Sequence, residues 1–170
     1  MFTMVTERHN YDNGYISLVN IELENAPDKI TVNGNELLKK SEFHISIMAI
    51  KNLAPLLDPD NVEQASELLK QDFLDFAATN DLTSFALTGE WRLVTRDERV
   101  TVVVMVDLKG VEGLFQYLQQ KHNIDFPTQP THVTLYTLQP EAGIGILSQE
   151  QLETDSILVE VPELASLKIQ

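Results

Sequence analysis

The run Val100 to Val106, VTVVVMV, constrains the fold more than any other part of the chain. Strand side chains alternate between two faces, and this run is apolar or β-branched on both. It predicts a strand inside a layer, covered on each side. Ser84 to Thr95 also has strand character, and Arg96-Asp97-Glu98-Arg99 separates the two segments. The pair therefore predicts a hairpin with a charged, exposed turn. The run stops at Asp107, well short of the roughly 20 apolar residues needed to span a bilayer.

The flanking segments supply further elements. Tyr15 to Leu23 and Phe43 to Ile50 read as strands. Glu24 to Asn35, with Pro27, Asn33 and Gly34, reads as loop or turn. Asp60 is placed to cap a helix, with Glu63 completing a capping box. Val62, Ala65, Leu69, Phe73 and Phe76 follow at helical spacing as the stripe that packs on the core. Glu112 to Lys121 reads as a short amphipathic helix with Leu114, Phe115 and Leu118 inward. Pro127 and Pro130 mark a loop, His132 to Leu138 a strand, and Gln139 to Gly145 another loop. Ser148 to Thr154 reads as a helical turn and Ile157 to Val161 as a last strand. Each half has a histidine-bearing strand after a loop, and a helix-plus-strand group separates the two. The expected class is α+β, with 1–170 as a single domain of two similar lobes.

Charge and cysteine usage narrow the function. The formal net charge is −14 and cysteine is absent. There are thus no disulfides, thiolate nucleophiles or thiolate metal sites. Met1 to Asn10 has neither a basic start nor an apolar core, so no secretory signal is expected and a cytoplasmic location is. A chain this acidic repels polyanions, and it lacks the basic stripe that neutralises a phosphate backbone. Lys39, Lys40, Arg96 and Arg99 read as solvated surface cations. Long nucleic acid and membrane are disfavoured as partners; a small nucleotide or a short RNA terminus is compatible.

The chemistry-bearing feature is a pair of matched strands, His44-Ile45-Ser46-Ile47 and His132-Val133-Thr134-Leu135. Alternation places each histidine beside its hydroxyl on one face and the apolar residues on the other. Imidazole titrates near neutrality, so two of them can divide proton removal and proton donation at a phosphodiester. Ser46 and Thr134 can donate to nonbridging phosphate oxygens. Tyr136 is expected on the face of His132 and Thr134, where it either stacks on a base or closes a core edge. Arg92 either reaches the phosphate or is a surface cation.

These two motifs resemble those of the 2H phosphoesterase superfamily, which includes 2′-5′ RNA ligase-like proteins and cyclic phosphodiesterases. The resemblance implies a bilobal fold with two antiparallel sheets lining a central cleft and helices outside. It implies an enzyme with no cofactor and no metal, acting on a cyclic phosphate or a 2′-5′ linkage. His44 and His132 match the catalytic histidines, and Ser46 and Thr134 the phosphate-binding hydroxyls. Serine stands in the first motif where threonine is usual. The alternative is a non-catalytic nucleotide- or protein-binding module on the same fold.

The other candidates have plainer readings. His9 lies near an unanchored terminus and reads as inert. His122 follows Lys121 at a helix end, where positive charge complements the helix dipole. A hydrolytic zinc site usually takes three protein ligands, and no third accompanies the two motif histidines.

Overall fold

The computed structural model describes residues 3–170. In chain order the strands are β1 (Thr3–Met4), β2 (His9–Asp12), β3 (Tyr15–Leu18), β4 (Leu23–Glu24), β5 (Lys29–Val32), β6 (Asn35–Lys39), β7 (Ile45–Met48), β8 (Phe85–Arg96), β9 (Arg99–Leu108), β10 (His132–Thr137), β11 (Ser156–Leu158) and β12 (Lys168–Ile169). The helices are α1 (Ile50–Leu57), α2 (Val62–Ala77), α3 (Val111–His122) and α4 (Gln149–Asp155). The chain is thus mixed α and β, as expected, with antiparallel sheets. No helix among the described residues is long and apolar enough to cross a membrane. The chain divides into two compact units.

The first unit holds residues up to Val19, Ser46–Ala86 and Leu108–Gln129. Its sheet runs in the order β1-β2-β3-β7. Asn13 and Gly14 close the β2–β3 hairpin, both at positive φ (50° and 85°), which suits the right-handed twist of paired strands. Ala65, Leu69 and Phe73 of α2 are buried, while Val62 at the start of the stripe is exposed. The expected cap at Asp60 does not form: Asn61 is the N-cap of α2, with no side-chain cap hydrogen bond. Asp58, not Asp60, accepts from the amides of Asp60 and Asn61, at 3.1 Å each. Asp58 is the C-cap of α1, so its carboxylate closes the turn between α1 and α2. Leu114, Phe115 and Leu118 of α3 are buried as expected.

Two polar anchors hold this unit. His9 is 2% exposed, so the expectation of an unanchored terminus around it is corrected. Its Nε2 lies 3.0 Å from the Leu82 carbonyl, which only an N–H satisfies. Nδ1 is then the acceptor for the Thr6 hydroxyl at 2.7 Å. The ring also meets Phe73 edge-on at 5.0 Å. The second anchor is Asp72, fully buried on α2. It is matched by Lys121 Nζ at 2.5 Å and His122 Nε2 at 2.6 Å, both in the last turn of α3. His122 therefore ties α3 to α2.

The second unit holds Asn20–Ile45, Leu87–Asp107 and Pro130–Gln170. Its main sheet runs β11-β8-β9-β10-β6-β5, and β12 pairs with β4. The double-sided apolar run is β9, inside the sheet, with Val102, Val103 and Val104 at 0% exposure. Each valine of this kind stabilises the fold by about 1.5–3 kcal/mol through burial. The expected charged turn is Asp97-Glu98, between the two arms of the hairpin. The segment read as loop, Glu24 to Asn35, instead contains β5 and enters β6. Asn33 and Gly34 (φ 47° and 79°) form their tight connection.

Arg96 and Arg99 are not free surface cations. Arg96 binds Asp155 through Nε (2.8 Å) and Nη2 (2.6 Å) and the Gly145 carbonyl through Nη1 (2.8 Å). Arg99 donates to the Gly143 carbonyl at 3.1 Å. These bonds hold down the glycine loop, whose Ile144 and Ile146 join Leu152, Val94, Val103 and Met105 in one buried cluster.

Candidate functional site

The register of β10 on β9 decides which side chains share a face. His132 lies opposite Met105, Val133 opposite Val104 and Thr134 opposite Val103. Directly opposed residues point to the same side of a sheet. His132 and Thr134 therefore share the face of Met105 and Val103, and Val133 points away, as alternation predicts. The register then shifts, so that Tyr136 lies opposite Val102 and Thr137 opposite Thr101. Leu135 is the extra residue of a bulge, and a bulge resets the alternation.

That shift corrects the expectation for Tyr136. Its partner Val102 places it on the face opposite His132. The ring is fully buried and the hydroxyl donates to the Pro27 carbonyl at 2.7 Å. Burial pushes the phenol up to about 12. Tyr136 is a core tyrosine with a satisfied hydroxyl, and offers no face for base stacking. Arg92 belongs to the site's face by alternation with Val94, which packs against Val103 and Met105. Its guanidinium is committed locally, with Nε on Glu90 at 2.5 Å and Nη1 on the Ser156 hydroxyl at 3.1 Å.

His132 opens β10 and is 8% exposed. Its Nδ1 sits 3.0 Å from the Pro130 carbonyl. A carbonyl only accepts, so Nδ1 carries the proton and Nε2 is the basic atom of the neutral ring. Burial lowers the imidazole's pKa; the Pro130 bond opposes this, and the positive charge of Lys40 adds to it. The ring is thus neutral at pH 7 with its tautomer fixed. Thr134, two residues on, is half-buried.

The first motif stands in different surroundings. His44 immediately precedes β7 and is exposed. Ile45 and Ile47 are buried at 0% and 1%, and the half-buried Ser46 alternates with them. Ser46 Oγ accepts from the Ser17 hydroxyl at 3.4 Å. His44 and His132 both belong to the second unit, whereas Ser46 belongs to the first.

Lys40, a surface cation on sequence alone, belongs to this site. Its amide donates to the Leu135 carbonyl at 2.9 Å, which extends the β6–β10 pairing by one residue. Lys39 lies opposite Tyr136 and Leu38 opposite Thr137. Alternation therefore places Lys40 on the face of Leu38, Thr137 and His132. Burial lowers the Lys40 ammonium from its ordinary value, opposed by the charges of Glu141 and Glu42.

Among the described residues no three His, Asp or Glu side chains converge as metal ligands. The assembled face thus offers a neutral imidazole with a fixed tautomer, a hydroxyl and a cation. Such a set can accept a proton and hold an anion. Comparison with family models, with curated proteins and with solved structures finds no match for this chain.

Proposed function

We propose that the chain is a metal-independent phosphodiesterase acting on a cyclic phosphate or a 2′-5′ phosphodiester of a nucleotide or short RNA end. The observation that carries this reading is His132. Its Nδ1 is fixed by the Pro130 carbonyl, its Nε2 is left basic, and it shares a face with the half-buried Thr134. In this proposal one histidine takes the proton of the attacking water or ribose hydroxyl, and the other protonates the leaving oxygen. The neutral, depressed state of His132 suits it to the base role, which leaves the acid role to His44. Thr134 and Ser46 donate to the phosphate.

The test is turnover of 2′,3′-cyclic nucleotides and 2′-5′ oligoadenylate with chelator present. His132→Ala and His44→Ala are each expected to lose about 10²–10⁴-fold in rate. The near-complete burial of His132 favours a second reading, in which the same face binds a nucleotide without turning it over. Saturable binding with no product supports that module; turnover insensitive to chelator excludes it.

A further inference from the structure

We propose that the Lys40 ammonium is the group that binds the phosphate beside His132. This rests on the proposed function for the identity of the ligand, but not for the presence of an anion. Three observations carry it.

The first is placement. The bond from the Lys40 amide to Leu135 and the alternation along β6 put its side chain on the face of His132 and Thr134. Its charge acts on the imidazole. The second is the missing partner. Three lysines are half-buried: Lys39, Lys40 and Lys70. Lys39 pairs with Asp28 at 3.1 Å and Lys70 with Glu67 at 2.5 Å. Among the described residues Lys40 has no such salt bridge. Withdrawing an ammonium from water without a counter-charge is unfavourable, and a bound anion removes that cost.

The third is the local field. The net charge is −14, so an anion reaches this face only where a cation offsets the repulsion. The nearby acidic groups are Glu42 and Glu141, which act on Lys40 without forming a salt bridge to it. Glu141 Oε1 instead accepts from the Ser41 amide at 2.9 Å. The ammonium is therefore left to a ligand, with His132 Nε2 as the basic atom on the same face. Lysine serves here as a point charge, which suits a phosphate oxygen.

The experiment compares wild type, Lys40→Met, Lys40→Gln and Lys40→Arg. Methionine and glutamine keep a flexible stem and remove the charge, so one uncharged variant serves if the other does not fold. With 2′,3′-cyclic AMP as substrate, an uncharged variant is expected to lose about 10- to 100-fold in kcat/KM, mainly through KM, as for a lost charge-assisted hydrogen bond. Lys40→Arg is expected to recover part of that loss. A kcat/KM within threefold of wild type in the uncharged variants overturns the inference.

A second readout does not need turnover. The His132 imidazole signal is followed by NMR during titration with inorganic phosphate. A phosphate-dependent shift in wild type that is absent in Lys40→Met supports the inference, even if no cyclic phosphate is hydrolysed and the proposed function fails. No shift in wild type, or an equal shift in the variant, overturns it. The His132 pKa is also expected to rise in Lys40→Met, since a neighbouring positive charge is removed; a purely packing role for Lys40 predicts no such rise.

Discussion

Replacing His9 by alanine tests the reasoning about buried histidines where no activity is involved. The substitution removes two hydrogen bonds, to Leu82 and Thr6, and an edge contact with Phe73. It leaves the Leu82 carbonyl without its donor and opens a cavity beside a fully buried phenylalanine. An unsatisfied buried carbonyl costs about 1–3 kcal/mol and the lost packing about 1–2 kcal/mol, so His9→Ala should destabilise by about 2–5 kcal/mol at pH 7.5. The pH dependence has a definite sign. Burial lowers the His9 pKa below 6.5, so below that pH the unfolded chain binds a proton that the folded chain resists. His9's contribution is full above pH 6.5 and declines as pH falls towards its folded-state value. At pH 5.5 the decline reaches at most about 1.4 kcal/mol. Urea unfolding followed by far-ultraviolet circular dichroism, at pH 7.5 and 5.5, measures both quantities. The difference between wild type and His9→Ala should shrink on acidification. A difference below about 0.5 kcal/mol at pH 7.5, or one that grows at pH 5.5, would refute a neutral, doubly bonded His9.

Further outcomes follow from the same geometry. Asp72→Ala leaves Lys121 without its buried counter-charge and His122 without its hydrogen-bond partner, and should cost about 3 kcal/mol by urea unfolding; Lys121 is partly exposed, which keeps the cost at the lower end for a broken buried pair. Gly110→Ala should destabilise by at least about 1 kcal/mol, because Gly110 has φ 86° and an added Cβ would press on the Asp81 carbonyl. Arg96→Ala frees Asp155 and the Gly145 carbonyl, and should raise amide exchange across 143–146 while leaving α2 unchanged.

Where the sequence was legible, the signal was long or doubly determined. Seven residues of apolar and β-branched character marked β9, and the charged four-residue break marked its hairpin with β8. The stripe of Leu114, Phe115 and Leu118 marked α3. Short or non-periodic features escaped. β5 has four residues, so its alternation of Ile30 and Val32 with Lys29 and Thr31 was masked by the turn residues around it. Asn33-Gly34 was a hairpin signal in its own right. The bulge at Leu135 leaves no trace in periodicity, and strict alternation therefore puts Tyr136 on the face of His132. The burial of Lys40 depends on which strand β6 pairs with, a non-local fact that no local pattern carries. The anchoring of His9 is equally non-local, since its partner Leu82 lies 73 residues away.

The most direct test of the central claim is the rate of 2′,3′-cyclic nucleotide hydrolysis in EDTA by wild type, His132→Ala and His44→Ala. Turnover by wild type and a loss of about 10²–10⁴-fold in each variant are expected. Full turnover in both variants, or none in wild type across cyclic and 2′-5′ substrates, would contradict that claim.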